Sequence, residues 1–468
     1  MTLDVDPITC HAGATVDTVR PVTAIADART IDELFPGEAL RTDHLTVRDR
    51  DRALASAFDV ERLLAATSVH AVAAIDGFAG PTEQLEVDID QVAAYSTTRL
   101  AIDGEPVPVW SDLSGVYATA DGHHLQIHCN FPHHTDGVVD LLGTSHDRAE
   151  VAAAIGRHDA VGLETTLVER GMIAAAVRTL DEWDAHAHAH ATAALPLLDV
   201  EQIGEADPRP GSDWSERRVL DCSRVLAGPV AGQLLAGVGA DVLRVGAEHL
   251  PSVPVGVIAT GFGKRNAFVD LRTVVGRDVM ATLLGDTDVW IDAFRPGAMA
   301  AHGLPPERVA ALRPGVVIVQ ISAFDWVGPW AGRRGYDSIV QSTTGIRWAG
   351  GEVATDDTGR PTGAGPTGLP VQALDYATGF LAAGAAARLL RHQRRAGGSW
   401  LVRLSLLRTR NWLVGLRGPR PYVPAPVPVD PRRIDSIDSE FGRITAVRPF
   451  VGKWRSAPRR LGTSEPTW

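Results

Sequence analysis

Four stretches of this chain hold side chains able to do chemistry. In Gln372-Ala373-Leu374-Asp375-Tyr376-Ala377-Thr378-Gly379 a carboxylate opens an apolar helical run. On pattern alone Asp375 is an N-cap, its oxygen satisfying the free N–H groups of the first turn. In Val219-Leu220-Asp221-Cys222-Ser223-Arg224-Val225-Leu226-Ala227-Gly228-Pro229 a small-residue loop joins a strand to a helix start. Ala227 and Gly228 would let a ligand approach the backbone, and the helix start offers unpaired N–H groups to an anion. An ordinary strand-to-helix turn has the same pattern. The turn continues Gly228-Pro229-Val230-Ala231-Gly232, which is not the G-x-G-x-x-G of a dinucleotide site. Lys264 and Arg265 are adjacent cations after a glycine, suited to phosphate or to a solvated surface. Phe294-Arg295 ends a strand candidate and pairs a ring with a cation, although such a Phe also suits core packing.

Histidines gather in the first half: His123, His124, His128, His133 and His134, then His186, His188 and His190. His186 and His190 are four apart, and imidazole suits zinc. No Glu follows His186 as a metalloprotease helix requires, and alanines fill the gaps, so no metal is expected.

These residues need elements to hold them. Apolar residues recur at helical spacing between Ala53 and Ala79. Leu85 to Ile89 alternates like a strand, and Asp121-Gly122 sits between two short strand candidates as a hairpin turn. Helical patterns fill most of 134–192. Residues 203–216 are rich in Gly and Pro and form the clearest linker. Beyond it, strands (219–222, 241–245, 289–294, 316–322) alternate with helices (229–235, 276–284, 306–312), which predicts a parallel sheet covered by helices. Gly and Thr crowd the loop 343–369, a long helix is predicted over 374–391 and a strand over 400–406. The division expected is 1–52 as an irregular segment, 53–202 as a half with a small α+β domain, 203–216 as linker, 217–417 as the large domain, and 418–468 as an extended or partly disordered tail.

The bulk composition limits the function classes. The chain has 468 residues, 45% hydrophobic and 22% charged, as soluble globular proteins do. A net charge of -12 repels nucleic acid and anionic membrane, so a phosphate-bearing ligand needs a local basic site. Three cysteines, Cys10, Cys129 and Cys222, suit a reducing compartment. No secretory leader and no apolar run of the roughly 20 residues that a membrane span needs is visible, so a cytoplasmic protein without a membrane partner is expected.

The segment Val219–Val245 resembles the opening of the family III CoA-transferases, a superfamily that includes formyl-CoA and carnitine CoA-transferases. So do Gly263-Lys264-Arg265-Asn266 with Asp270-Leu271, Asp288-Val289-Trp290-Ile291-Asp292-Ala293-Phe294-Arg295-Pro296-Gly297, and Gly335-Tyr336-Asp337, in the family's order and spacing. The resemblance implies an α/β fold: a Rossmann-like large domain with a parallel sheet plus a smaller α+β domain, two chains forming an interlocked homodimer. It implies coenzyme A and acyl-CoA as substrates, with no tightly bound cofactor and a carboxylic acid as the second partner. Val225, Leu226, Ala227, Val269, Ala293, Phe294, Arg295, Arg334 and Tyr336 fall where the family contacts CoA, and Lys264 and Arg265 are expected on its phosphates. Asp375, four residues before Gly379, matches the family's catalytic aspartate and would be the covalent nucleophile, kept ionised by the N–H groups of its own helix start. The Ala227-Gly228 backbone would stabilise an oxyanion. Two alternatives stand beside the transferase. One is an α-methylacyl-CoA racemase-type isomerase, whose histidine is replaced by Tyr336, a poor base near neutral pH. The other is a catalytically inactive CoA-binding subunit, suggested by Leu374 and Ala293 where the family has glycine and asparagine.

Overall fold

The computed structural model describes residues 19–49, 54–363 and 365–468. Cys10 and the whole of 1–18, the start of the segment expected to be irregular, lie outside the described residues. The large sheet has seven strands: β1 (Leu198–Gly204), β2 (Arg218–Cys222), β3 (Asp241–Gly246), β4 (Lys264–Phe268), β5 (Val289–Asp292), β6 (Val317–Ser322) and β7 (Ser399–Ser405). Their spatial order is β4-β3-β2-β5-β6-β7-β1. All pairings are parallel except that of β1 with β7. The α/β class read from the alternation is the class observed.

The central strands read as unbroken apolar runs because helices cover both faces. Val219 sits beside Val289, Leu220 beside Trp290, and Val289 beside Val317 in register, all buried. The chain leaves β2 toward β3 and β4, then returns to lay β5 on the other side of β2. The loops after β2 and β5 therefore diverge, and open α/β sheets bind ligands in the crevice such a switch point leaves.

Five helices matter for the site: α1 (Val60–Ala79), α2 (Pro132–Leu142), α3 (Ala227–Val238), α4 (Asp337–Thr343) and α5 (Ala373–Ala396). Helix α5 is buried on all sides from Ala373 to Leu390, as a helix apolar all round must be. It lies between α1 and α3. Small residues allow this: a Cβ on Gly379 would meet the Ala227 carbonyl oxygen at 2.6 Å, and one on Gly384 would meet His70 at 2.7 Å. The buried Arg388 of α5 donates to Asp32 at 2.7 Å and to the Glu38 carbonyl, tying the N-terminal segment to this helix.

A smaller α+β unit stands apart from the large sheet. Strands Gly115–Ala118, His124–Ile127 and Ala174–Ala176 form it with helices including α2, around Leu125, Ile127, Val138 and Leu163. Gly122 at φ 79° makes the expected hairpin turn. Three details differ from the sequence reading. Within 1–52, a helix spans Val19–Asp32 and a strand Leu45–Arg48 pairs with Leu85–Asp88. The strand β1 runs through Gly204, inside the stretch read as linker. The tail is ordered: Ile434–Ser439 and Gly442–Val447 form a hairpin that pairs with Leu100–Ile102. Its last residues follow the exposed edge of β4, with the Ser464 N–H on the Asn266 carbonyl at 2.8 Å, which blunts an otherwise open sheet edge.

Candidate active site

A cavity of about 890 Å³ opens at the carboxyl ends of β2, β3, β5 and β6. Asp375, in the first turn of α5, lines its wall and is 6% exposed. Ser223 to Leu226 carry the chain from β2 into α3. Val225 sits at φ 71°, a costly place for a β-branched residue, and such strain collects at functional sites. A Cβ on Gly228 would lie 2.4 Å from that of Ser223, so only glycine lets the turn close this tightly. The turn aims the start of α3 at α5, and the Ala227 N–H is directed to the Asp375 carboxylate.

Beneath Asp375 lies a second carboxylate. Asp337, fully buried at the start of α4, accepts the Asp375 N–H at 2.9 Å and also a hydrogen bond from the Gln341 amide. The Leu374 N–H and Arg347 favour its charge as well, while burial pushes its pKa up to about 6. Burial likewise pushes the Asp375 carboxyl well above the ordinary range, the Asp337 charge adds to this, and only the Ala227 N–H opposes it. Two adjacent buried carboxyls do not both ionise easily. Asp337 has the donors and the nearby cation, so the surroundings favour charge on Asp337 over charge on Asp375. This corrects the expectation that the N–H groups of the α5 start keep Asp375 ionised: those groups serve Asp337.

Most of the other residues singled out from sequence share this cavity. Val225, Leu226 and Ala227 line it from the β2 loop, Ala293, Phe294 and Arg295 from the end of β5, and Val269 from the end of β4. Arg334 and Tyr336 line it from the loop before α4. Burial raises the Tyr336 phenol, so it stays neutral beside Asp375.

Lys264 and Arg265 do not reach the cavity, and their expected role on phosphate is corrected. Both lie in β4, a strand the sequence reading missed, and alternation sends them to opposite faces. Lys264 is buried against Asp221, its Nζ 2.7 Å from the carboxylate and 2.6 Å from the Pro229 carbonyl oxygen. Arg265 makes a two-point pair with Asp241 and donates to the Thr467 carbonyl at 2.6 Å. Other cations face the cavity instead. Arg224 stands over the rings of Phe131 and Phe294, 5.8 Å from each centroid. Its place directly after β2 was the signal available in the sequence. Arg333 also lines the cavity but pairs with Glu164 at 2.6 Å and stacks 4.0 Å from the Trp330 ring centre, fixing the loop to the small unit.

Of the second histidine group, His186 and His188 pack against Trp330, and His190 is exposed. His186 lies 4.2 Å from Trp330 between ring centres, and the His188 ring bridges the Phe324 carbonyl at 2.7 Å and the Trp330 N–H at 3.2 Å. Among the described residues no three His, Cys, Asp or Glu side chains could hold a metal ion. Nor is any described helix long and apolar enough to cross a membrane.

Residues 215–429 match the sequence model of CoA-transferase family III. Over 203 residues the chain is 34% identical to a probable fatty acyl-CoA transferase of Mycobacterium tuberculosis, covering 40% of this chain and 49% of that protein. It is 33% identical over 208 residues to a succinate–glutarate CoA-transferase of Agrobacterium fabrum, 41% and 50% of the two chains. A longer, weaker match links 378 residues at 25% identity to an acyl-CoA transferase of Gibberella moniliformis, 69% of this chain and 64% of that one. The chain thus spans about half the length of the first two relatives. A crystal structure of a hypothetical protein from Mycobacterium tuberculosis aligns with 31% identity and a TM-score of 0.36, over 43% of this chain and 56% of that one. The similarity to CoA-transferase family III thus lies in residues 215–429.

Proposed function

We propose that the protein moves coenzyme A from an acyl-CoA to a carboxylic acid, with Asp375 as the covalent nucleophile. The observation that carries this reading is a carboxylate at the wall of a cavity large enough for a cofactor tail, faced by a helix N-terminus and ringed elsewhere by arginines.

An Asp375 oxygen attacks the thioester carbonyl carbon, the carbon–sulfur bond breaks, and CoA leaves as thiolate from a mixed anhydride. The thiolate attacks the aspartyl carbonyl carbon. The bond from that carbon to the bridging oxygen breaks, and the first acid departs with an oxygen that belonged to Asp375. The acceptor carboxylate then displaces the thiolate from the aspartyl thioester. The thiolate attacks the acceptor's carbonyl carbon, giving the new acyl-CoA and the free carboxylate of Asp375. Covalent catalysis of this kind replaces one difficult transfer by easier steps. Each tetrahedral oxyanion needs a donor, and the N–H groups at the start of α3 lack intrahelical partners. Attack requires Asp375 to lose its proton first, which the burial and the Asp337 charge oppose. The proposal takes in the family-like homodimer, which sedimentation would test.

Incubation with acyl-CoA followed by hydroxylamine tests the reading. The expected result is a hydroxamate on Asp375 found by peptide mass spectrometry, absent in Asp375→Asn. An unmodified Asp375 together with deuterium uptake at the α-carbon of a branched acyl-CoA would establish the isomerase instead.

A further inference from the structure

The cavity has a wall that the large domain does not supply. Phe131 to Asp136, from the small unit and the first turn of α2, close one side of it. Phe131 stacks on Tyr336 with ring centres 6.1 Å apart, and His128 on the same ring at 4.4 Å. This first turn brings His133 and His134 to the cavity, their ring centres 4.1 Å apart. His133 is exposed. His134 is 3% exposed, and its Nδ1 is buried with no hydrogen-bond partner among the described residues.

Facing them are Arg224, Arg295 and Arg334. Arg224 donates to the Pro251 carbonyl at 3.0 Å and Arg334 to the Gly171 carbonyl at 2.9 Å. None of the three is paired with a carboxylate among the described residues, and Arg224 is lowered by burial and by Arg334. Asp136 also borders the cavity, but its carboxylate is 3.4 Å from His146. Converging guanidinium groups without a counter-charge are unfavourable unless an anion completes the site. The cluster adjoins the Asp375 wall: Arg224 acts on Tyr336, and Tyr336 on Asp375, where a thioester must sit. Gly246, Val269, Leu271 and Phe294 line the same cavity from the ends of β3, β4 and β5.

We propose that His133 and His134 of the small unit, together with Arg224 and Arg334, hold the diphosphate of coenzyme A, so that the N-terminal half clamps the cofactor from the side opposite the large domain. The diphosphate is the doubly charged group between the adenosine and the pantetheine arm, and the guanidinium groups without a carboxylate partner in this cavity are the counter-charge it needs. This inference rests on the CoA reading given above.

The test is a titration of the full chain with CoA, 3′-dephospho-CoA and pantetheine, using the native protein and the double variant His133→Gln/His134→Gln. The expected loss in the variant is about tenfold for CoA and for 3′-dephospho-CoA, as removal of charge-supporting donors implies, with pantetheine binding unchanged. Equal CoA affinity in the two proteins overturns the inference. A loss for CoA that is not seen with 3′-dephospho-CoA places the 3′-phosphate at these histidines and also overturns it. Failure of the native protein to bind any of the three refutes the CoA reading itself. If the double variant does not fold, carbethoxylation of native His133 decides. CoA should protect it and pantetheine should not, and equal modification with and without CoA overturns the clamp.

Discussion

Replacing Gly379 by alanine probes how the two helices at the site are held. An added Cβ would lie 2.6 Å from the Ala227 carbonyl oxygen and 3.0 Å from Val230 Cβ and Cγ1. Ordinary contacts are about 3.5–4.0 Å, so α3 and α5 must part by roughly 1 Å. Overpacking of this kind costs about 1–3 kcal/mol, and the better helix propensity of alanine returns about 1 kcal/mol. The net loss of stability is then about 0–2 kcal/mol, small enough to leave a folded protein. Catalysis should suffer more. The shift carries the Ala227 N–H away from Asp375, and a displacement near 1 Å at a reacting pair costs about a hundredfold in rate. Urea denaturation and steady-state acyl exchange measure the two effects separately. Gly415→Ala is the control: the position is exposed, within the helix Leu406–Leu416, with nothing near its added Cβ. It should stabilise by up to about 1 kcal/mol and leave turnover intact. If Gly379→Ala behaves like this control in both assays, the contact between α3 and α5 does not position the nucleophile.

Other outcomes follow from the same geometry. Burial and Asp337 raise the Asp375 carboxyl, and the proposed attack needs its ionised form, so activity should fall with acid at a pH above the usual carboxylate range. Asp337→Asn should move that limb downward in a pH–rate profile. Burial lowers His70 and His128 from 6.5 to about 4 each, so the unfolded chain takes up protons that the folded one refuses as pH falls below 6.5. Stability in urea titrations should therefore decline from pH 6.5 toward pH 4, by about 2 kcal/mol per histidine at pH 5. A His70→Met variant should show a shallower decline. Lys264→Met leaves Asp221 buried without its cation and should cost about 3–5 kcal/mol in denaturation, while Arg265→Gln on the partly exposed strand should cost about 1 kcal/mol or less. CoA affinity should be unchanged in Arg265→Gln, measured by calorimetry.

The sequence made the strands legible where burial on both faces leaves unbroken apolar runs, as in Val289–Asp292 and Val317–Ser322. It also placed Asp375 at a helix start. Strand Lys264–Phe268 escaped because Lys, Arg and Asn favour strands weakly, and two long cations read as surface. Only the fold reveals that Asp221 lies beneath Lys264 and turns it inward. The wall from Phe131 to His134 was invisible for another reason: it reaches the cavity across about ninety residues of chain from Arg224, and no local pattern encodes such a contact. Asp337 stands next to Tyr336 in Gly335-Tyr336-Asp337, yet its service to the α5 N–H groups depends on a turn geometry that spacing does not give.

The most direct test follows the oxygen atoms. With an acceptor acid labelled with heavy oxygen and an unlabelled acyl-CoA, the Asp375 peptide should gain the label after turnover in ordinary water, because the nucleophile is regenerated with an oxygen from the acceptor. A peptide that stays unlabelled while new acyl-CoA accumulates would contradict the covalent role of Asp375.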